Sequence, residues 1–135
     1  MQKFVYSCVY AALLGFVVPA YAEVVVIAHP SAPEATLSKD EVAQCFLGKS
    51  SAFTPVDQLE NAAIRAEFYR KVADKDQAQV RALWAKLVFT GKGTMPKELG
   101  GNAEVKRAVA ANPKTIGYID KSAVDATVKV IYTLP

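Results

Sequence analysis

Ser31, Asn61 and Arg65 are the side chains of this sequence whose types and positions suit the capture of a small anion. A helix is predicted to begin near Asn61, and the first turn of any helix presents backbone N–H groups without partners and a positive dipole end. Arg65 falls in that turn, where a cation opposes the dipole by roughly 0.3–1 kcal/mol. An anion site explains its tolerance there, with the guanidinium as a bidentate clamp and Ala62 and Ala63 leaving the helix end sterically open. The bland alternative is a surface arginine paired with Glu60 or Glu67. Ser31 follows the first predicted strand, at what would be the carboxyl end of a parallel sheet, where open α/β folds bind ligands. Its other reading is a turn former in Pro30-Ser-Ala-Pro33.

Other chemistries find no support in the residues. No Gly-x-Ser-x-Gly elbow, His-Glu-x-x-His pair or Cys–His pairing occurs, so the chain is predicted not to be an enzyme. His29 is the single histidine and lacks companions at ligand spacing, so no metal or other cofactor is expected. Gly91-Lys-Gly-Thr94 has a phosphate-loop composition but not its spacing, and Gly91 reads as a helix end. Cys45 lies on an apolar helical stripe and reads as a buried hydrophobe. A net charge of +3, spread along 135 residues without a basic run, points to neither nucleic acid nor an anionic membrane.

The amino terminus reads as a secretory signal. Met1-Gln-Lys3 is a short positive region, Phe4 to Val18 are uncharged and mostly apolar, and Pro19 precedes the small-x-small site Ala20-Tyr-Ala22. Residues 1–22 are therefore expected to be removed and 23–135 to form one soluble periplasmic domain. Cys8 leaves with the signal, and Cys45 alone permits no disulfide within the domain.

The elements that must position the candidate residues follow from patterning. Glu23 to Ala28 is an apolar run expected to be a strand buried on both faces, as in a parallel sheet. Ser38 and Glu41 form a capping box for a helix whose stripe is Val42, Cys45 and Phe46, with Gly48 as its stop. A short strand around Thr54–Gln58 precedes a helix capped by Asn61 and carrying Ile64, Phe68 and Val72. Asp76 and Gln79 box the next helix, in which Val80, Leu83, Trp84, Leu87 and Val88 hold the amphipathic spacing. Trp84 is thus a core residue first. Residues 90–101 read as a loop, 102–111 as a helix ending before Pro113, and Thr115 to Ile119 and Val128 to Tyr132 as strands. Gly117 reads as a site of close packing. The order β-α-β-α-α-α-β-β predicts an α/β sandwich.

Phe46-Leu-Gly48, Arg65-Ala-Glu-Phe68, Trp84, Phe89-Thr-Gly-Lys-Gly93 and Asn112-Pro-Lys-Thr-Ile-Gly-Tyr118 occur in the order of one lobe of the phosphate-binding proteins of ABC transporters, which the sequence resembles over most of residues 24–132. The resemblance implies the α/β fold of a single lobe of a type II periplasmic binding protein, a mixed sheet flanked by helices. It further implies a small oxyanion ligand, phosphate first, and a link to ABC-type uptake or sensing through a permease. One departure is local. Where the family carries a Ser-Gly-Thr loop that holds phosphate, this sequence has Leu59-Glu-Asn-Ala-Ala63, without a hydroxyl. A lone lobe leaves its ligand solvated, so micromolar or weaker binding is expected, tightened if two copies form a homodimer and rebuild a cleft. The alternative is an envelope interaction module that reuses the lobe without a ligand and exposes an apolar patch.

Overall fold

The run Val24–Ala28 (β1) sits inside a five-stranded sheet with every residue buried, and its alternate side chains feed two separate cores. The computed structural model describes residues 23–33 and 36–135; the signal segment 1–22 lies outside the described residues. The sheet order is β3 (Lys97–Leu99), β2 (Thr54–Gln58), β4 (Thr115–Asp120), β1, β5 (Lys129–Thr133). β2 runs parallel to β3 and β4, whereas β1 is antiparallel to both of its neighbours. Full burial of β1 therefore reflects helices on both faces of the sheet. It does not reflect a parallel environment.

Val24, Val26 and Ala28 point to the face covered by α1 (Lys39–Phe46), α2 (Ala63–Ala73) and α3 (Gln77–Phe89), with Phe46, Phe68, Tyr69, Trp84 and Tyr118 filling that core. Val25 and Ile27 point to the other face, where α4 (Asn102–Ala111) lays Val105 and Val109. Gly117 permits this close packing. A Cβ there would stand 2.5 Å from Val105 Cγ1 and 3.0 Å from Val56 Cγ2.

Both predicted capping boxes form. The Glu41 N–H donates to Ser38 Oγ at 3.1 Å and the Ser38 N–H to Glu41 Oε1 at 2.8 Å. Asp76 and Gln79 reciprocate at 2.9 Å in both directions. Trp84 is buried and donates from Nε1 to the Phe46 carbonyl at 3.2 Å. Gly48 turns with φ +79°, and a Cβ on it would meet Trp84 and Leu87 at 2.9 Å. Two expectations change. Residues 97–99 form β3 inside the stretch read as loop, a three-residue edge strand too short to show a period. Asn61 does not cap α2, because the cap falls one residue later on Ala62 and has no side-chain bond.

Candidate functional site

β2 and β4 run side by side and end at Gln58 and Asp120, and α2 and α4 begin above that edge. Their caps are Ala62 and Gly101, neither of which gives a side-chain hydrogen bond to the helix it opens. Two helix N-termini with free N–H groups thus converge on one cleft of about 350 Å³, lined among others by Gln58, Ala63, Ile64, Gly101, Asn102 and Asp120. Both helix dipole ends meet at this cleft and favour negative charge there, against the carboxylates of Glu67 and Asp120 that also line it.

Gln58 ties the two helix starts together. Its buried amide donates from Nε2 to Asn102 Oδ1 at 3.1 Å and to the Tyr118 carbonyl at 3.0 Å, and its own carbonyl accepts from Arg65 Nη1 at 2.9 Å. Asn102 Oδ1 also accepts from the Asp120 N–H at 3.3 Å. Asp120 presents a carboxylate whose Oδ1 takes the N–H and Oγ of Ser122 at 2.9 and 2.8 Å. Glu67 adds a second carboxylate to the cleft wall.

Behind this edge lies a buried polar cluster. The Asp57 carboxylate accepts from the hydroxyl of Tyr69 at 2.6 Å, from the hydroxyl of Tyr118 and from the Gln58 N–H at 2.9 Å. Arg65 Nε stands 3.8 Å from Asp57 Oδ1, and its Nη1 also donates to Glu98 Oε2 at 2.9 Å. Burial raises the Asp57 pKa above its ordinary value, against the two tyrosine hydroxyls and Arg65, which hold it down. Both tyrosines are pushed up by burial and by the Asp57 charge. For Arg65, burial works against the charge, but Asp57 and Glu98 outweigh it and its pKa rises.

A raised folded pKa gives Asp57 a stability contribution that is complete below its unfolded value near 3.8 and is lost as pH rises through the folded value. Asp57→Asn has no such term. Denaturant titrations from pH 7 to pH 4 are therefore expected to show the wild type gaining on the variant as pH falls; a constant difference contradicts a raised pKa.

The three residues singled out in the sequence do not surround one point. Arg65 is buried, with a side chain 5% exposed, and its guanidinium is engaged by Asp57, Glu98 and the Gln58 carbonyl. It pairs with neither Glu60 nor Glu67. Asn61 is exposed and lines a neighbouring depression of about 630 Å³ together with Glu60, Gln77, Arg81 and Glu98. Ser31 lies at the opposite edge of the sheet. β1 is antiparallel, with Ala28 opposite Ile116 near the start of β4, so its carboxyl end points away from Gln58 and Asp120. There Ser31 Oγ is 2.8 Å from His29 Nδ1, a local contact within the turn. Sequence reasoning missed Gln58, Asn102 and Asp120. Gly100-Gly101 directly before a predicted helix was the available signal for Asn102, as a helix start without a side-chain cap.

No family model matches the sequence, and no curated protein does. Solved structures do. A protein from Clostridium perfringens described as a phosphate ABC transporter substrate-binding protein, with phosphate bound, superposes with a TM-score of 0.65 at 20% identity over 81% of this chain and 44% of its own. The fold is that of one lobe of a periplasmic binding protein. An ABC-type phosphate transport receptor from Vibrio cholerae gives 0.64 at 14% identity over 81% of this chain and 45% of its own. PstS from Borrelia burgdorferi gives 0.56 at 11% identity, over 82% and 46%. The chain thus spans less than half the length of these binding proteins, none of which is described as an enzyme.

Proposed function

We propose that this protein binds a small oxyanion, phosphate first, in the cleft between the starts of α2 and α4, as a periplasmic solute-binding-like component of ABC-type phosphate uptake or sensing. The observation that carries the reading is the convergence of two helix N-termini whose caps, Ala62 and Gly101, give no side-chain hydrogen bond. Phosphate in the Clostridium perfringens neighbour supports the ligand class. Asp120 supports the choice within it, because a carboxylate accepts a hydrogen bond from a protonated oxyanion and repels one without a proton. Arg65 serves from behind by holding the Gln58 carbonyl, its own charge being met by Asp57 and Glu98; Asn61 lines the neighbouring depression. Ser31, at the other edge, has no part in it. A permease or a second copy closing over the cleft would exclude water and tighten binding.

Asn102→Asp tests this. The aspartate keeps the Oδ1 acceptor that Gln58 and the Asp120 N–H use, but places a fixed anion at the start of α4. Calorimetric titration with phosphate is expected to show affinity falling by about tenfold or more, with the unfolding midpoint equal to wild type or higher. Equal phosphate affinity in the variant would place the ligand elsewhere. The second reading, an envelope interaction module, draws on the exposed apolar end of α3.

A further inference from the structure

We propose that the carboxyl end of α3 and the loop after it form a docking tip for an anionic lipid surface. Phe89, the last residue of α3, is 91% exposed, Val88 next to it is 48% exposed, and Met95 in the loop that follows is 42% exposed. A phenylalanine this exposed, next to a half-exposed valine at a helix end, forms an apolar tip in water. Their mounting is firm: Trp84 is buried beneath, and a Cβ on Gly93 or Gly48 would stand 3.1 or 2.9 Å from the Trp84 ring. The Lys92 N–H donates to the Leu87 carbonyl at 2.8 Å, which folds the loop back on the helix end.

Charge selects the partner. Between Asp76 and Glu98 the chain holds Arg81, Lys86, Lys92 and Lys97 and no acidic residue. Lys49 joins them, following Gly48 where the α1 turn meets Trp84 and Leu87. Arg81 is paired with Glu60, but among the described residues Lys49, Lys86, Lys92 and Lys97 make no ion pair. The linear sequence shows no basic run, so this grouping exists only once the helix end, the loop and the α1 turn are folded together. An exposed aromatic at a helix end whose flanking lysines, Lys86 and Lys92, make no ion pair matches what a lipid headgroup layer takes: the aromatic enters the interface while the lysines meet anionic headgroups.

Sedimentation of the 23–135 domain with vesicles decides the matter. Phosphatidylglycerol vesicles at low salt are expected to retain the protein and phosphatidylcholine vesicles to leave it in solution, with retention lost near 0.5 M salt by screening. Lys86→Gln and Lys92→Gln should each weaken the partition about fivefold. Phe89→Ala should weaken it by roughly tenfold or more, through lost apolar burial. These side chains are exposed, and unchanged melting curves would confirm that the variants fold. Absence of binding to phosphatidylglycerol, or binding indifferent to Phe89, overturns the proposal. So does equal capture by soluble polyglutamate independent of Phe89, which would point to an acidic protein instead. Neither result bears on phosphate binding at the α2–α4 cleft.

Discussion

Replacing Arg65 with alanine is expected to destabilise the protein by about 3–5 kcal/mol, because it strands the Asp57 carboxylate in the core without its cationic partner. Asp57 is buried and sits 3.8 Å from Arg65 Nε. The same substitution removes the Nη1 donor that joins the Gln58 carbonyl and Glu98, so β2, α2 and β3 lose a common tie. Arg65→Lys should recover little, since an ammonium cannot reach the same set of acceptors from one planar fork. Denaturant unfolding at pH 7 measures the effect, and a cost under about 1 kcal/mol would show that Asp57 does not depend on Arg65. Loss of phosphate binding in Arg65→Ala would therefore not identify a ligand contact, which is why Asn102→Asp is the better probe of the cleft.

Phe68→Ala is expected to cost about 3–5 kcal/mol by leaving a cavity that the surrounding rings cannot fill. Phe68 stacks on Tyr118 with centroids 3.9 Å apart and planes at 7°, and meets Phe46 and Tyr69 edge-on at 4.7 and 5.1 Å. It joins α1, α2 and β4, so its removal reaches both hydroxyls that hold Asp57. Phe68→Leu should recover much of the loss, because volume counts for more than ring geometry in such a site. A melt that shifts little for Phe68→Ala would mean the cluster collapses around the gap.

Much of the fold was readable from local signals. Ser38 with Glu41 and Asp76 with Gln79 predict their helices because capping is settled within four residues. Val42, Cys45 and Phe46 predict a buried face from spacing alone. Strand direction is another matter. Val24 to Ala28 reads as doubly buried whichever way its neighbours run, so the antiparallel pairing with β4 and β5 left no trace, and with it Ser31 moved to the wrong edge. Arg65 reads as an anion clamp or a surface cation and not as a buried partner, because the residues that bury it, Asp57, Tyr69 and Glu98, come from three separate elements. The cleft was half visible. A positive helix end near residue 61 was expected, but the second one at Gly101 becomes its neighbour only through the sheet order β2-β4. Phe89 likewise reads as the start of the Phe89-Thr-Gly-Lys-Gly93 stretch, while its exposure depends on where α3 ends against the rest of the fold.

On the proposed reading an oxyanion sits on the paired starts of α2 and α4. Titrating phosphate into isotopically labelled protein and following backbone amide resonances tests it most directly. Saturable shifts are expected at Ala63, Ile64, Asn102 and Ala103, with His29 and Ser31 at the opposite edge unmoved. Shifts confined to other residues, or none at millimolar phosphate (about 4 kcal/mol of binding free energy), would contradict it.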